Sequence, residues 1–211
     1  MNSGMREKIG RDEFDYSALM NALSNYAAPR ARVTTLLKSG EIIRVKKGLY
    51  VFGTQTRKGP ICRELLANLI YGPSIISLDS ALAYYQMIPE RVEAKTSVSP
   101  AKPRRFETPL GLFIYRPTPS LSIGIDRVVL GEKSFLIATP ERALADKLRD
   151  DRNGRLRIRK DMETYLFENL RLDLNTIKNL DANQLETLAS ELRSNKIRVC
   201  AALVRSMRRR S

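Results

Sequence analysis

The chain has 211 residues, 43% of them hydrophobic, so it can bury a core and is too apolar to be disordered throughout. No apolar run approaches the roughly 20 residues of a membrane-spanning helix, and the polar N-terminal segment does not look like a secretory signal. The absence of histidine excludes histidine-ligated metal sites and the common catalytic triads. We therefore expect a cytoplasmic protein in which Cys62 and Cys200 are buried thiols rather than a disulfide.

Basic residues outnumber acidic residues by 37 to 23, which gives a formal net charge of +14. A basic excess of this size is typical of nucleic-acid-binding proteins. The excess is uneven: the net charge is +6 over residues 1–59, +2 over 60–150 and +6 over 151–211. This distribution predicts two basic regions that flank a nearly neutral centre.

The first 56 residues predict two helices followed by a β-hairpin. The helices are expected at 15–26 and 30–39, and the strands at 41–45 and 49–52. Pro29 separates the helices, Gly40 ends the second one, and Gly48 supplies the positive φ that a tight hairpin turn requires. This order of elements predicts a winged helix-turn-helix domain over 1–56.

The rest of the chain predicts a mixed centre and a helical end. Over 57–150 we expect helices at 60–70, 77–87 and 139–148, and strands at 96–99, 104–108, 112–115, 128–130 and 134–137. After a charged link at 150–154, the region 151–211 predicts helices at 159–168, 174–179, 182–194 and 197–208. The expected fold class is therefore α+β, with three regions, although 57–211 could form one domain.

The second predicted helix and the hairpin carry the candidate DNA-binding residues. The apolar side chains of this helix fall on one face, which leaves a short polar and cationic face for a DNA groove. A basic hairpin would then lie on the phosphate backbone. The candidate residues are Arg30, Arg32, Thr34, Thr35 and Lys38 on the helix, and Arg44, Lys46 and Lys47 in the hairpin. Taken singly, each is better explained as an ordinary solvated side chain; the combination of helix, glycine stop and short basic hairpin favours DNA binding.

Three segments occur in an order and spacing that match a known family. They are KSGEIIRVKKGLYV at 38–51, ISLDSALAYY at 76–85 and IATPERALAD at 137–146. Together they resemble the AbiE-type abortive-infection antitoxins of type IV toxin–antitoxin systems, over roughly residues 14–150 and more loosely in the helical tail. The first segment resembles the winged-helix signature of that family.

The resemblance implies a transcriptional repressor that is also an antitoxin. The N-terminal winged helix would bind inverted repeats of double-stranded DNA in its own promoter. The remainder would counteract a toxin of nucleotidyltransferase type, without a stable complex with it. From the residues themselves we expect no cofactor and no enzymatic activity, because the chain has no histidine and no Gly-x-x-x-x-Gly-Lys-Ser/Thr loop for a nucleotide.

Two alternatives remain open from the residues alone. An RNA-binding or toxin-binding adaptor could use a second basic surface on the helical tail, formed by Lys196, Arg198, Arg205, Arg208, Arg209 and Arg210. A metal-dependent nuclease could use Glu93 and Lys95 with Asp79. Glu-x-Lys, however, is frequent by chance in a chain that is 28% charged.

Two further pairs are given structural interpretations. Glu141 and Asp146 lie on one predicted helix, where we expect them to stabilise the structure or to join the centre to the tail. Tyr84 and Tyr85 follow Ala and Leu in helical sequence, which favours core positions over base stacking.

Overall fold

Two separate β-sheets organise this protein, for which a computed structural model describes residues 3–152 and 156–208. The fold is mixed α+β, as predicted. The N-terminal module, residues 1–56, contains α1 (Ser3–Ile9), β1 (Glu13–Asp15), α2 (Tyr16–Ala22), α3 (Pro29–Lys38), β2 (Ile42–Lys46) and β3 (Leu49–Phe52). The hairpin is confirmed, but α2 ends at Ala22 rather than at residue 26, and α1 and β1 were not predicted.

The centre contains the larger sheet and three helices. Its elements are α4 (Arg63–Ile70), β4 (Ile75–Ile76), α5 (Leu78–Tyr84), β5 (Lys95–Ser99), β6 (Arg104–Thr108), β7 (Gly111–Pro117), β8 (Ile125–Leu130), β9 (Lys133–Ala138) and α6 (Pro140–Asp150). The tail contains α7 (Arg159–Thr164), a π-helical turn (Tyr165–Asn169), α8 (Leu174–Asn179), α9 (Ala182–Glu191) and α10 (Asn195–Arg208).

The two sheets differ in their pairing. The small sheet is antiparallel with strand order β1-β3-β2. The large sheet has the order β6-β7-β5-β4-β9-β8, in which β5 pairs with β7 and β4 with β9 in parallel, and the other neighbours are antiparallel. The large sheet is therefore mixed, with β6 and β8 as its edge strands.

The small sheet contributes one face to each of two hydrophobic cores. Tyr50 and Phe52 point into a small core with the side chains of α1, α2 and α3. Val45, Leu49 and Val51 alternate with them and belong to the large core of the centre, because neighbouring residues in a strand point to opposite faces. The N-terminal module thus packs through its hairpin against residues 57–211, which we call the body.

The centre and the helical tail share one hydrophobic core. Leu148 of α6, Leu188 of α9 and Leu203 of α10 are buried in the same cluster. Glu141 joins the two regions as expected, because one of its carboxylate oxygens accepts the backbone N–H of Asp181 at 2.9 Å. The predicted link at 150–154 begins where α6 ends, and residues 153–155 of it lie outside the described residues.

A fully buried arginine of α6 fixes the loop between β7 and β8. The guanidinium of Arg142 donates to Asp146 at 2.9 Å, and to the Ile123 and Ser120 carbonyls and the Thr118 hydroxyl at 2.8–3.0 Å. Burial raises the pKa of the Asp146 carboxyl, while the charge of Arg142 acts against that rise. Asp146 is therefore structural, as the sequence predicted.

Two sequence predictions about burial need correction. Tyr84 is 42% exposed, and its ring packs edge-on against Tyr85 and Phe135 instead of entering the core. Cys62 is only partly buried at the N-terminus of α4, whereas Cys200 is fully buried as expected.

Among the described helices, none is both long and apolar enough to cross a bilayer.

Candidate nucleic-acid interface

One face of α3 is exposed and carries polar and cationic side chains. Arg30, Thr34 and Lys38 are all exposed, and they follow one another at intervals of four residues. Residues spaced in this way lie on the same face of a helix, so the three form one row along α3. The opposite face is buried through Val33 and Leu36. The helix thus presents to solvent the side that the sequence assigned to DNA.

The hydroxyl groups of the two threonines on this face donate hydrogen bonds to backbone carbonyls of α3 itself. Thr34 Oγ1 donates to the Arg30 carbonyl at 3.4 Å, and Thr35 Oγ1 donates to the Ala31 carbonyl at 3.3 Å. A hydroxyl whose proton is engaged still has lone pairs. Both exposed threonines can therefore accept a hydrogen bond from a base amino group.

The hairpin places a further cation beside α3. Arg44 is the direct cross-strand partner of Tyr50, whose side chain lies in the small core under α3. Cross-strand partners point to the same face of a sheet, so Arg44 lies on the α3 side of the hairpin, where it is exposed. Lys47, at the turn, is also exposed.

Two of the predicted contact residues are engaged inside the protein. Lys46 is partly buried, and its Nζ donates to the Ile70 carbonyl at 2.5 Å, so it attaches the hairpin to the end of α4. Arg32 is also partly buried, and its guanidinium carbon lies 5.6 Å from the centre of the Tyr26 ring. These two cations have structural partners, whereas the other six candidates on α3 and the hairpin are exposed.

The exposed surface of the N-terminal module is strongly cationic. Its exposed acidic residues are Glu7 and Asp15, and the Asp15 carboxylate already caps α2 by accepting the Ala18 N–H at 2.7 Å. The exposed cations are Lys8, Arg11, Arg30, Lys38, Arg44 and Lys47. A surface with this balance attracts the phosphate backbone of nucleic acids.

A buried ion-pair network joins the module to the large sheet. Lys133, at the start of β9, donates to Glu13 at 2.9 Å and to the Pro60 carbonyl at 3.0 Å, and lies 3.5 Å from Asp12. Arg6 of α1 also binds Asp12, at 3.1 Å. Burial opposes the charge on Lys133, but the adjacent Glu13 carboxylate raises the pKa of the ammonium above its ordinary value. The network fixes the module relative to the body.

No local sequence pattern could have revealed this network. Lys133 and Glu13 are 120 residues apart, and neither belongs to a motif. A cleft of about 590 Å³ lies beside the network. Its lining includes four cations and four carboxylates, namely Arg6, Arg11, Lys58, Lys133, Asp12, Glu13, Glu64 and Glu132. This even balance does not point to a ligand of either charge.

The second basic surface predicted on the tail is largely engaged within the protein. Lys196 Nζ donates to the Asp151 carbonyl, and Arg198 lies 3.1 Å from Glu186. Arg205 contacts Asn183 at 3.4 Å, and Arg208 donates to the Lys178 carbonyl at 2.7 Å, near the C-terminus of α8. Arg209 and Arg210 lie outside the described residues.

The residues of the nuclease alternative have separate partners. Lys95 Nζ is 2.5 Å from Glu64 on α4, and Asp79 is 2.7 Å from Lys147 on α6. Burial opposes ionisation of Glu64, but Lys95 lowers the pKa of its carboxyl overall. Glu93 is exposed and lies 3.5 Å from Arg91. Over residues 3–152 and 156–208, no three potential metal-binding side chains come together.

Comparison with known proteins gives little further information. No family model matches the chain, and no curated protein matches it. Three chains of solved structures match, one of which is JHP933 from Helicobacter pylori. That structure shares 11% sequence identity, covers 70% of this chain and 89% of its own, and has a TM-score of 0.33. A likeness this weak carries no argument about fold or function.

Proposed function

We propose that this chain is a DNA-binding transcriptional regulator whose N-terminal module acts as a winged helix-turn-helix. The observation that carries the proposal is the exposed row of Arg30, Thr34 and Lys38 on α3, with Arg44 beside it on the hairpin. An α-helix with its side chains is about 10–12 Å across and fits the roughly 12 Å wide DNA major groove, and the ten residues of α3 give it a length of about 15 Å along the groove. The similarity of 38–51 to the winged-helix signature of AbiE-type antitoxins supports the same proposal.

The proposed roles follow from the chemistry of each side chain. Thr34 and Thr35 meet base edges, because a threonine can accept a hydrogen bond or contact a thymine methyl. Arg30 and Lys38, at the two ends of the row, reach guanine or phosphate. Arg44 and Lys47 contact the phosphate backbone, which sets affinity more than sequence preference.

The regulator is proposed to repress its own promoter and to serve as an antitoxin in the bacterial cytoplasm. In this proposal the body counteracts a nucleotidyltransferase-type toxin and performs no catalysis of its own. The support for this part is the family resemblance of segments 76–85 and 137–146. A gene for a nucleotidyltransferase next to the gene for this chain is the expected genomic context.

Binding to the DNA upstream of its own gene tests the regulator proposal. Purified full-length protein is titrated against that duplex and against a scrambled duplex of equal length, over a series of salt concentrations. The variant Arg44→Ala/Lys47→Ala should weaken binding to both duplexes and reduce the salt slope by about 1.8, or about 0.9 for each lost phosphate contact. The variant Thr34→Ala/Thr35→Ala should reduce only the preference for the upstream duplex.

A matched control removes two exposed cations elsewhere. Lys102→Ala/Arg104→Ala lowers the net charge by the same amount as Arg44→Ala/Lys47→Ala, but at the start of the edge strand β6 and just before it. It should leave the affinity for the upstream duplex unchanged. If the control and the hairpin variant lose equal affinity, or if neither duplex is preferred, the proposed role of α3 is wrong.

The antitoxin part is tested by co-expression with the toxin encoded nearby. The full chain should restore growth, and the hairpin variant should restore it equally when both genes are under an unrelated promoter. Failure of the full chain to protect the cells would exclude the antitoxin role while leaving the DNA-binding proposal intact.

A further inference from the structure

Strand β8 is an edge of the large sheet, and its outward backbone groups are unused. The Thr139 N–H donates to the Gly124 carbonyl at 3.0 Å, so the even-numbered residues of β8 exchange their backbone hydrogen bonds with β9. The N–H and C=O groups of Ile125, Arg127 and Val129 therefore point away from β9. Within residues 3–152 and 156–208, these groups have no hydrogen-bond partner.

The second half of this free edge is apolar. Val129 is 63% exposed, more than any other large apolar side chain of the described residues, and Leu130 beside it is 55% exposed. An edge strand that has to stay unpaired is usually protected by charges or proline. The opposite edge, β6, has such protection from Arg104, Arg105 and Glu107 and from the preceding Pro103. The segment 128–130 of β8 contains neither charges nor proline.

The sequence of β8 decides how it can pair with its own copy. Two identical antiparallel strands related by a two-fold axis normal to their sheet pair in registers centred on one residue, because directly opposed side chains share a face. The registers centred on Arg127 and on Val128 place nearly all of β8 opposite β8. The first sets Arg127 directly against its own copy, which is unfavourable for like charges. The second sets Val128 against itself and Arg127 against Val129, and it opposes no two like charges.

The charges of β8 favour a second copy as the occupant of this edge. Arg127 is exposed and forms no ion pair within the described residues; its guanidinium donates to the Ser134 hydroxyl at 3.1 Å. In the register centred on Val128, the aliphatic stem of Arg127 covers Val129 of the other copy while the charged end stays in water. Asp126, which is also exposed, lies opposite Leu130. The two exposed apolar side chains of the strand are thus partly covered, and both charges remain solvated.

We propose that β8 pairs with β8 of a second copy of this chain, in the antiparallel register centred on Val128. The pairing joins the two six-stranded sheets into one. Arg127 of each copy exchanges backbone hydrogen bonds with Val129 of the other, about four bonds in all. A contact through one strand is small, so the dimer exchanges reversibly with the monomer. The proposal does not depend on the proposed binding of DNA.

The mass of the full-length protein in solution tests the dimer. Sedimentation velocity over a roughly hundredfold range of concentration should show a shift from the monomer mass of 24.0 kDa towards twice that value. The variant Val129→Pro removes an outward N–H, a change that an edge strand tolerates. Because each dimer then loses two hydrogen bonds, its dissociation constant should rise about thirtyfold or more.

Two charge variants at one position test the register. Val129→Lys sets a second cation against Arg127 of the other copy, whereas Val129→Glu sets a carboxylate against it. Cross-strand pairs of opposite charge stabilise a sheet, and pairs of like charge destabilise it. Since each pair occurs twice in the dimer, Val129→Lys should dimerise on the order of tenfold more weakly than Val129→Glu.

A control on the neighbouring strand separates pairing of the edges from stacking of the sheet faces. Leu136 is 41% exposed and is the cross-strand partner of Arg127 on β9, one strand away from the edge. Leu136→Lys should therefore dimerise like the parent. The three charge variants should keep the melting temperature of the parent, because the substituted side chains are exposed, so they decide the proposal even if Val129→Pro unfolds.

Each outcome decides the proposal. A concentration-dependent dimer that Val129→Lys weakens and Val129→Glu retains supports it. A parent that stays monomeric over the whole range would overturn it. Equal losses in the two variants of Val129 would indicate association through apolar surface without this register, and would also overturn it. A loss in Leu136→Lys equal to that in Val129→Lys would indicate stacking of the sheet faces, with the same consequence.

Discussion

Replacing Lys133 with methionine tests whether the ion-pair network holds the N-terminal module on the body. The substitution keeps the length of the side chain and removes its charge. The side chain of Glu13 is 5% exposed, and its only ion pair in the described residues is with Lys133. The substitution therefore leaves the Glu13 carboxylate buried without an ion pair. Asp12 retains Arg6, at 3.1 Å.

The expected loss in the free energy of unfolding follows from the contacts that Lys133→Met removes. A hydrogen bond to a charged group contributes about 1.5–3 kcal/mol. The 2.9 Å bond to Glu13 is of this kind, but the Lys133 side chain is 20% exposed, so water from the adjacent cleft can replace part of it. We expect the free energy of unfolding to fall by about 2–3 kcal/mol, which for a chain of this size lowers the melting temperature by roughly 4–12 °C.

Urea and thermal unfolding of four proteins provide the measurement: the parent, Lys133→Met, Glu13→Gln and the double variant. If the two side chains interact directly, the double variant should be less destabilised than the sum of the single variants, by about 1 kcal/mol or more. Additivity within about 0.5 kcal/mol would refute the assigned interaction. Lys102→Met, an exposed residue, is the neutral control.

The same pair predicts a dependence on pH. The pKa of Lys133 is raised in the folded protein, so its contribution to stability is complete below the ordinary lysine pKa of about 10.4. It is lost as the pH rises through the higher folded value. The stability difference between the parent and Lys133→Met should therefore be constant from about pH 7 to about pH 10 and shrink above that.

Three further predictions concern other parts of the fold. Arg142→Met should lower the free energy of unfolding by about 3–5 kcal/mol in urea titrations, because it leaves a buried carboxylate unpaired; a loss below about 1 kcal/mol would contradict the role given to this arginine. Burial raises the pKa of Cys200 to about 12 and that of Cys62 above its ordinary value. A thiol reagent at neutral pH should therefore modify Cys62 slowly and Cys200 only after unfolding, and rapid reaction of Cys200 in the native protein would show that this thiol is accessible. Gly53→Ala should cost about 3 kcal/mol or more, because its Cβ would lie 1.9 Å from the Gly40 carbonyl oxygen; an unchanged melting temperature would mean that the backbone there yields easily.

The sequence predicted elements wherever local signals are strong. Pro29 stands at the first position of α3, Gly40 has φ +71° just after its end, and Gly48 has φ +86° in the hairpin turn. Thr139 caps α6 as expected, by accepting the Arg142 N–H. These positions were predictable because the backbone conformation itself restricts which residues are tolerated.

The missed strands are too short to show a hydrophobic pattern. Strand β1 has three residues and β4 has two, so neither displays the alternation that identifies a strand. The exposure of α3 could be predicted, because its buried side chains recur at helical spacing. The partner of Lys46 could not be predicted, because the Ile70 carbonyl comes within reach of Lys46 only when the hairpin packs on α4. Side-chain partners distant in sequence depend on the tertiary fold and leave no local trace.

The two-sided packing of the small sheet has a consequence for how the protein can be dissected. A fragment ending at residue 56 would expose Val45, Leu49 and Val51 to water, and a fragment beginning at residue 57 would lack the side chains that cover that part of the large core. Neither piece is expected to remain monomeric and folded alone, so reporter fusions and truncation mapping should keep the chain whole. For the same reason, any ligand that binds only the folded N-terminal module should also protect the C-terminal helices from proteolysis, because opening either end breaks a core that both ends share.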